Sequence, residues 1–244
     1  MQDDSPSMLT RRLKALETYQ IMDTPPEQAF DDLAQLASFI CQTPIALVSL
    51  LDEKRQWFKA KVGLTASETP IEHAFCAHAI LEEKVFLVPD ASKDPRFAHN
   101  PLVTSEPNIR FYAGAQLVTP DGIALGTVCT IDREPRQITA EQEEALTALA
   151  RQTVVQLELR CMTKRLTATI EEKNAILQEL RQLREILPIC SYCKRVRDDD
   201  DYWTQVDEYI SDHSDIRFSH GVCPDCYPNV IAAMHDEVKR VQKS

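Results

Sequence analysis

Paired cysteines near one end of the chain are the residues best suited to chemistry. Cys190 and Cys193 form one CxxC pair, and Cys223 and Cys226 form another, with residues 194–222 between them. A CxxC turn brings two thiolates to one side of the backbone, and two such turns complete the tetrahedral sulfur shell that Zn²⁺ favours. The spacing predicts one structural zinc ion held by these four cysteines, with no coordination position open for catalysis.

Redox chemistry is the alternative for these cysteines, because a CxxC dithiol can cycle with its disulfide. Thioredoxin-like sites carry a single pair beside a βαβ pattern, whereas two pairs occur here and neither lies in such a pattern. Structural zinc is therefore the leading interpretation, and a thiol-based redox enzyme or redox switch stays open beside it. His220 precedes the second pair and is interpreted as a solvated loop residue.

A second set of residues, in the first half of the chain, is suited to binding a small ligand. The set is Phe75, Cys76, His78, Asp90, Asp94, Arg96, Asn100, Arg110 and Tyr112. A nucleophilic Cys76 would need a histidine that lowers the pKa of its thiol. On the predicted helix, however, Cys76 and His78 are two residues apart and point to different faces. We therefore predict a pocket-lining helix and no catalytic residue, and we interpret Cys129 as part of a strand core.

The loop that contains Asp94 and Arg96 leaves two alternatives open. In the first, Asp94 caps the following turn and the loop has only a structural role. In the second, the guanidinium of Arg96 holds an anionic group of the ligand.

Hydrophobic patterns predict the elements that must position these residues. Two amphipathic helices are predicted before residue 42, separated by Pro25 and Pro26, because proline ends one helix and opens the next. The predicted strands are 44–51, 55–62, 85–88, 109–118 and 123–131, and a short helix is predicted at 75–81. The chain is thereby divided into a helical lead-in (1–25), a first domain (26–138), a long helix (139–187) and a four-cysteine module (188–244).

The long helix is predicted to begin with a capping box formed by Thr139 and Gln142, and residues 141–187 contain no glycine or proline. Apolar residues in its second half follow a heptad register: Leu166, Ile170, Leu177, Leu180 and Leu187, interrupted by Lys173 and Arg184. A single helix cannot bury such a stripe by itself. The pattern therefore predicts a homodimer through residues 139–187, while packing of the helix onto its own domain stays open.

Composition excludes several classes of function. The 244 residues include 27 Lys and Arg against 38 Asp and Glu, which gives a net charge of −11, and no basic block occurs. Such a chain is unsuited to sequence-independent binding of DNA or of an anionic membrane. No apolar run reaches the roughly 18 residues of a membrane span, and no apolar signal core follows the polar first residues. We predict a cytoplasmic protein without nucleic-acid or membrane partners.

Six segments between residues 10 and 160 resemble the GAF domains that serve as input modules of bacterial sensor kinases and diguanylate cyclases. These segments are 16–27, 55–60, 74–80, 94–98, 109–114 and 125–132. The resemblance implies an α+β fold, with an antiparallel sheet flanked by helices and a pocket for a small molecule. The predicted fold class adds a long helical or coiled-coil linker and a small zinc-ribbon-like C-terminal module, which is similar to a cysteine module found at the end of bacterial signalling proteins.

The usual output enzyme of such a sensor is not apparent in the sequence. A kinase needs a glycine-rich ATP site and a cyclase needs its nucleotide motif, but Gly221 is the only glycine after residue 160. We therefore predict a bacterial signal-transduction sensor or adaptor that is not an enzyme. In this hypothesis the GAF domain senses a small molecule or a redox cue, and the dimeric helix passes the signal to the zinc module and a protein partner.

Overall fold

The structure is a computed structural model that describes residues 6–184, 188–197 and 202–241. Two compact units divide the chain, Met1–Glu171 and Glu172–Ser244. The first unit contains an antiparallel sheet with helices on one face and short helices and loops on the other. This architecture confirms the predicted α+β class.

Six strands form this sheet: β1 Ile45–Leu51, β2 Arg55–Val62, β3 Glu68–Pro70, β4 Phe86–Val88, β5 Phe111–Val118 and β6 Ala124–Asp132. Their order is β3-β2-β1-β6-β5-β4, and all neighbours are antiparallel. The Asp52 carboxylate accepts hydrogen bonds from the backbone N–H groups of Lys54 and Arg55, both at 2.8 Å, which fixes the turn from β1 to β2. Gly122 supplies the positive φ, 76°, in the turn from β5 to β6.

The sheet separates the first unit into two cores, and β1 contributes side chains to both of them. Every residue of this strand is buried. Successive side chains of a strand point to opposite faces, so alternate residues enter different cores. Ala46, Val48 and Leu50 enter the core on what we call the helix face, and Ile45, Leu47 and Leu51 enter the core on the loop face.

The helix face is covered by α1 (Pro6–Tyr19), α2 (Gln28–Cys41) and the first turns of α5 (Ala140–Arg184). The buried residues of α2 recur at the spacing of one helical stripe: Phe30, Leu33, Ala34, Ala37 and Cys41. At the start of α5, the Gln142 N–H donates to Thr139 Oγ1 at 3.3 Å and the Thr139 N–H donates to Gln142 Oε1 at 3.0 Å. This reciprocal pair of bonds is the predicted capping box. The loop face carries α3 (Cys76–Ala79) and α4 (Pro101–Thr104).

The 45 residues of α5 span about 68 Å at 1.5 Å per residue, which confirms the predicted long helix. Apolar side chains exposed along it are Val155, Leu159, Met162, Leu166, Ile170, Ile176 and Leu177. Leu180, Arg184 and Leu187 of the predicted stripe lie outside the residues whose side chains the structure describes. Across the described ranges, no helix has both the length and the apolar character needed to cross a membrane.

The second unit contains the paired strands β7 (Val196–Arg197) and β8 (Trp203–Thr204), followed by α6 (Val206–His213) and α7 (Tyr227–Val241). Each of these strands is two residues long, and the remaining regular structure of the described tail is helical. The zinc-ribbon-like fold predicted for the tail is therefore not supported, because a ribbon needs longer hairpin strands than these.

Candidate functional site

The sulfur of Cys76 lies at the centre of a cluster of buried polar side chains on the loop face. Its neighbours are Thr127 Oγ1 at 2.9 Å, Gln56 Nε2 at 3.0 Å, Tyr112 Oη at 3.1 Å, Ser49 Oγ at 3.2 Å and Cys129 Sγ at 4.0 Å. All six side chains are buried, and Cys76 is completely so. We call these six residues the Cys76 cluster.

Strand pairing assembles this cluster. The register of β1 against β6 places Ser49 directly opposite Thr127. Thr127 and Cys129 are two residues apart on β6 and therefore point to the same face. Gln56 comes from β2 and Tyr112 from β5, the strands that flank β1 and β6. The cluster thus joins four strands to the first residue of α3.

The side chain of Tyr112 occupies space that is free only because Gly114 has no side chain. A Cβ atom at Gly114 would lie 2.3 Å from Tyr112 Oη, so any other residue would displace this hydroxyl. The Tyr112 ring also stacks on Phe75, with centroids 5.3 Å apart, and Phe75 stacks on Phe97 at 4.0 Å. These contacts fix the hydroxyl of Tyr112 in its position against Cys76.

The neighbours of Cys76 reverse the effect of its burial. Burial by itself raises the pKa of a thiol, but contacts with Cys129, Ser49, Thr127 and Tyr112 lower the pKa of Cys76 from 9.0 to about 7. Burial and the adjacent Cys76 charge raise the pKa of Tyr112 and of Cys129 well above their ordinary values. Among the titratable groups of the cluster, Cys76 is therefore the first to lose its proton as the pH rises, while Tyr112 and Cys129 keep theirs.

A small cavity of about 70 Å³, which we call the inner cavity, lies beside the cluster. Most of its wall is apolar and includes Leu47, Phe58, Leu64, Phe75, Leu102 and Ile131. Gln56, Thr69 and Tyr112 supply its polar atoms. Because Gln56 and Tyr112 also contact Cys76 Sγ, the cavity is one side chain away from the sulfur.

A larger space of about 550 Å³, which we call the outer pocket, is lined in part by His78, Arg96 and Phe86. The guanidinium of Arg96 lies 4.9 Å from the Phe86 ring centroid and pairs with Asp94 at 2.6 Å. Burial and the nearby charge of Arg96 lower the pKa of His78, so its imidazole is neutral at pH 7. Cys76 and His78 therefore face separate spaces, and the histidine does not activate the thiol.

The four tail cysteines come together as two separate pairs. The backbone N–H of Cys193 lies 3.5 Å from Cys190 Sγ and contributes to a lowered pKa of that thiol. The backbone N–H of Cys226 acts in the same way on Cys223. Within the ranges that the structure describes, histidine, cysteine, aspartate and glutamate side chains gather nowhere in groups of three or more that could hold a metal. Each CxxC turn thus brings together two of the four predicted zinc ligands, and in the structure the two pairs do not meet to form one four-cysteine site.

Comparison with known protein families identifies the first unit. The GAF domain family matches residues 25–157, which is more than half of the chain and includes the whole Cys76 cluster. This chain belongs to the GAF family. The match confirms the resemblance predicted from the sequence.

A curated relative of this GAF protein is a cyclic di-GMP phosphodiesterase of Pseudomonas aeruginosa, which is 43% identical over 166 residues. The alignment covers 68% of this chain, which spans 28% of the length of that relative. The prediction that the chain is not an enzyme is contradicted by this finding, because the relative carries the name of an enzyme. The absence of kinase and cyclase motifs excluded only those two reactions, whereas the prediction excluded every enzymatic activity.

Two solved GAF domains align with parts of this chain. The GAF domain of an Acinetobacter phosphoenolpyruvate-protein phosphotransferase is 18% identical, with a TM-score of 0.47, over 65% of this chain and 95% of that domain. The GAF domain of Thermosynechococcus elongatus PixJ, in its blue-light-absorbing form, is 14% identical, with a TM-score of 0.48, over 69% of this chain and 97% of that domain.

Of the nine predicted GAF pocket residues, Phe75 and Tyr112 line the inner cavity, and Cys76 contacts Tyr112 without lining the cavity itself. Two others, His78 and Arg96, line the outer pocket. The sequence placed all of these in one pocket because it does not reveal that α3 separates two spaces.

The remaining four predicted residues bind the backbone or neighbours of their own loops. Asp90 accepts a hydrogen bond from Ser92 Oγ, and Asp94 accepts one from the Arg96 N–H. Asn100 accepts from the Leu102 N–H and so caps α4, and Arg110 donates to the Val103 carbonyl. These contacts order the loops that enclose the loop face, so the four residues support the site and do not line the inner cavity.

Ser49, Gln56, Thr127 and Cys129 are members of the site that sequence reasoning missed. Ser49 is the one polar residue of β1, and this interruption is a signal available in the sequence, whereas Thr127 shares β6 with two other polar residues. Cys129 is buried in the strand as predicted, but its neighbours are polar.

Ion pairs around the buried ammonium of Lys59 connect the sheet of the GAF domain to α5. The Lys59 ammonium on β2 is completely buried and contacts Glu27 Oε1 at 2.6 Å, Thr24 Oγ1 at 2.9 Å and the Pro25 carbonyl at 2.7 Å. The same Glu27 oxygen accepts a hydrogen bond from Arg160 Nε of α5 at 2.8 Å. One carboxylate therefore joins a strand of the sheet to the long helix.

Proposed function

We propose that this GAF protein is a signal-transduction sensor whose inner cavity binds a small molecule and whose long helix passes the signal to a protein partner. The observation that carries this proposal is the small cavity beside Cys76, with apolar walls and polar atoms at Gln56, Thr69 and Tyr112. Concave apolar sites with a few convergent polar groups are typical binding sites for small ligands.

The volume of the inner cavity limits the ligand. A single water occupies roughly 10–15 Å³ on the same measure, so about 70 Å³ holds a ligand of roughly five to seven non-hydrogen atoms. The ligand is therefore small and mainly apolar, with one or two polar groups for the amide of Gln56 or the hydroxyl of Thr69.

The ion pairs around Lys59 support a route for the signal from the sheet to α5. Gln56 lines the cavity and lies three residues before Lys59 on the same strand. A displacement of β2 by the ligand would move Lys59, and Lys59 is tied through Glu27 to Arg160 of α5. Loss of one partner of a buried ion pair is costly, so the three charged groups are expected to move together.

We also propose that α5 pairs with its copy in a second chain, through residues 139–187. The exposed apolar stripe of α5 supports this pairing, because Leu159, Met162 and Leu166 keep more than half of their surface in water. A parallel partner helix would bury this stripe in the manner of a coiled coil.

For the tail, we propose a structural zinc ion that draws the two CxxC turns together. The lowered pKa of Cys190 and of Cys223 supports it, because the backbone N–H groups that favour these thiolates also suit the sulfur ligands of zinc. Bound zinc would supply the cross-link that a small module without a large core needs.

Native mass spectrometry of the full chain, purified from its own host, tests the proposed ligand site. Ala66 lines the inner cavity, so Ala66→Leu fills part of it, whereas its neighbour Ser67 does not line the cavity and Ser67→Leu is the matched control. We expect a small bound mass on the unchanged chain and on Ser67→Leu, and none on Ala66→Leu. Equal retention by all three, or no bound mass on the unchanged chain, would reject the ligand site.

A second candidate function is a role in cyclic di-GMP turnover, favoured by the 43% identity with the phosphodiesterase of Pseudomonas aeruginosa. The direct test is incubation of the full chain with cyclic di-GMP and Mg²⁺, followed by chromatography of the products. Formation of the linear dinucleotide above the rate in buffer would assign the activity to this chain.

A further inference from the structure

Two sulfur atoms of the Cys76 cluster lie in van der Waals contact. Cys76 Sγ and Cys129 Sγ are 4.0 Å apart, and both side chains are completely buried. A disulfide bond is about 2.05 Å long, so the sulfurs must approach each other by about 2 Å to form one. Cys76 lies at the start of α3, a single helical turn, and a small shift of this turn toward β6 supplies that movement.

The surroundings of the two sulfurs differ, and this difference assigns their roles. Gln56 Nε2 can only donate, and the hydroxyl of Thr127 also donates to Cys76 Sγ. A thiolate accepts several hydrogen bonds, whereas a neutral thiol is a weak acceptor. Cys76 is therefore suited to be the attacking thiolate, and Cys129, whose sulfur lies 4.0 Å away, is placed to resolve the product.

We propose that Cys76 and Cys129 form an oxidation site for small hydroperoxides, which converts the pair to a disulfide inside the GAF domain. Oxidation of this pair requires neither the proposed ligand nor the proposed partner. Only the effect of the oxidation on signalling rests on the proposed sensing function.

Both steps of the reaction balance. The Cys76 thiolate attacks one oxygen of the hydroperoxide, so an S–O bond forms, the O–O bond breaks, and the departing oxygen takes up a proton and leaves as water or an alcohol. Cys129 sulfur then attacks the sulfenic acid, so the S–S bond forms, the S–O bond breaks, and the released hydroxide leaves as water with the proton of the Cys129 thiol. The two cysteines lose two electrons, and the hydroperoxide gains them.

Access to Cys76 limits the oxidant to small molecules. The volume of the inner cavity, about 70 Å³, admits hydrogen peroxide, which then reaches the sulfur only when the side chain of Gln56 or Tyr112 moves aside. An aryl hydroperoxide such as cumene hydroperoxide has more atoms than this cavity holds. We expect hydrogen peroxide to oxidise the pair at least about tenfold faster than cumene hydroperoxide does.

Closure of the disulfide would also change the inner cavity. Movement of Cys76 Sγ toward Cys129 breaks its contacts with Gln56 and Tyr112, and both of these side chains form part of the cavity wall. Oxidation at this site would therefore alter the space beside β2.

Peptide mapping of the full chain is the direct test. Trypsin releases residues 62–84 with Cys76 as the only cysteine and residues 111–133 with Cys129 as the only cysteine. After brief treatment with hydrogen peroxide and alkylation under denaturing conditions, we expect these two peptides joined and lighter by two hydrogen atoms. Cys41, in the core on the helix face, and Cys161, which is buried on α5, serve as internal controls and are expected to be alkylated. Full alkylation of Cys76 and Cys129, while the exposed tail cysteines are oxidised, would overturn the proposal.

Two variants separate the roles of the residues. Cys129→Ser should leave a sulfenic acid on Cys76, and dimedone added together with the denaturant should trap it, because the buried sulfur is closed to dimedone in the folded chain. Tyr112→Phe keeps the stacked ring but removes one donor, and it should slow disulfide formation at least about fivefold, whereas the control Cys41→Ser should not change the rate. A rate unaffected by Tyr112→Phe would refute the activation of Cys76 by its neighbours. Since mapping uses neither ligand retention nor a partner, its failure is distinct from failure of the proposed function.

Discussion

At the scale of residues, Cys76 shows that hydrogen-bond donors can outweigh the burial of a titratable group. Its pKa of about 7 in the folded chain lies below the ordinary value of 9.0. Between these two pH values, the unfolded chain binds more protons at this position than the folded chain does. Cys76 therefore contributes stability that is present above pH 9 and is lost as the pH falls through about 7.

This sign gives a prediction for the pH dependence of stability. Replacing Cys76 by serine keeps a similar size and removes the titrating group. Between pH 6 and pH 8.5, the unchanged chain should gain about 2 kcal/mol more unfolding free energy than Cys76→Ser gains, measured by urea denaturation. Parallel curves for the two proteins across this range would show that Cys76 stays protonated.

Gly114 supplies a second prediction at this scale. Gly114→Ala must displace the hydroxyl of Tyr112, so it should lower the unfolding free energy by about 1–3 kcal/mol and raise the pKa of Cys76. Gly221→Ala is the matched control, since a Cβ there meets no atom within 4 Å. Urea denaturation at several pH values measures both effects, because the gain in unfolding free energy with pH reports the pKa of Cys76, and an unchanged pH dependence would contradict the assigned role of Tyr112.

At the scale of elements, the link between the sheet and α5 depends on one carboxylate. Glu27 lies in the segment before α2, and it pairs with Lys59 of β2 and with Arg160 of α5. Burial raises the pKa of Glu27, but its bonds to Lys59 and Arg160 outweigh burial and lower it. The carboxylate therefore stays charged where it joins two elements that are far apart in sequence.

Removal of this charge gives a third prediction. Glu27→Gln leaves the buried ammonium of Lys59 without its counter-charge, and it should lower the unfolding free energy by about 3 kcal/mol. Glu17→Gln changes an exposed glutamate and should cost less than about 0.5 kcal/mol. Chemical denaturation measures both variants, and equal stability of the two would argue against ion pairing at Glu27.

Sequence patterns predicted the elements better than they predicted the site. Local signals define the hairpin at Asp52 and the capping box at Thr139, because the residues that interact are neighbours in sequence. The Cys76 cluster depends instead on the order of β2, β1, β6 and β5, and long-range pairing sets that order. The period of a strand indicates that Thr127 and Cys129 share a face, but it does not indicate that α3 covers this face.

At the scale of the whole molecule, the exposed stripe of α5 and the tail cysteines are the features that the GAF fold does not use. The exposed apolar stripe of α5 leads to a fourth prediction, which concerns dimerisation. Leu166→Glu places a charge in the proposed helix pair, once in each chain, and should weaken dimerisation at least about a hundredfold in sedimentation velocity. Thr167→Glu adds the same charge at the adjacent exposed position and should leave the dimer intact. Identical sedimentation of both variants would exclude pairing through this stripe.

The fifth prediction concerns metal content. The full chain should contain one zinc ion, and a chelator should remove it together with the hydrogen-exchange protection of the tail, while the GAF domain keeps its own. Cys223→Ser should lose the metal, and Cys161→Ser, which changes a buried cysteine of α5, should retain it. Less than about half an equivalent of any metal in the purified chain would rule out the zinc site.

Because the ammonium of Lys59 is completely buried, its chemical labelling reports local opening of the fold. Amine-acylating reagents label lysines in proportion to solvent access, and the side chain of Lys59 has none, whereas Lys164 and Lys173 of α5 are exposed. Acylation of Lys59 thus requires that the segment around Glu27 detach from β2. The rate of Lys59 labelling, compared with the rate for the exposed lysines, would therefore measure how fast this part of the fold opens.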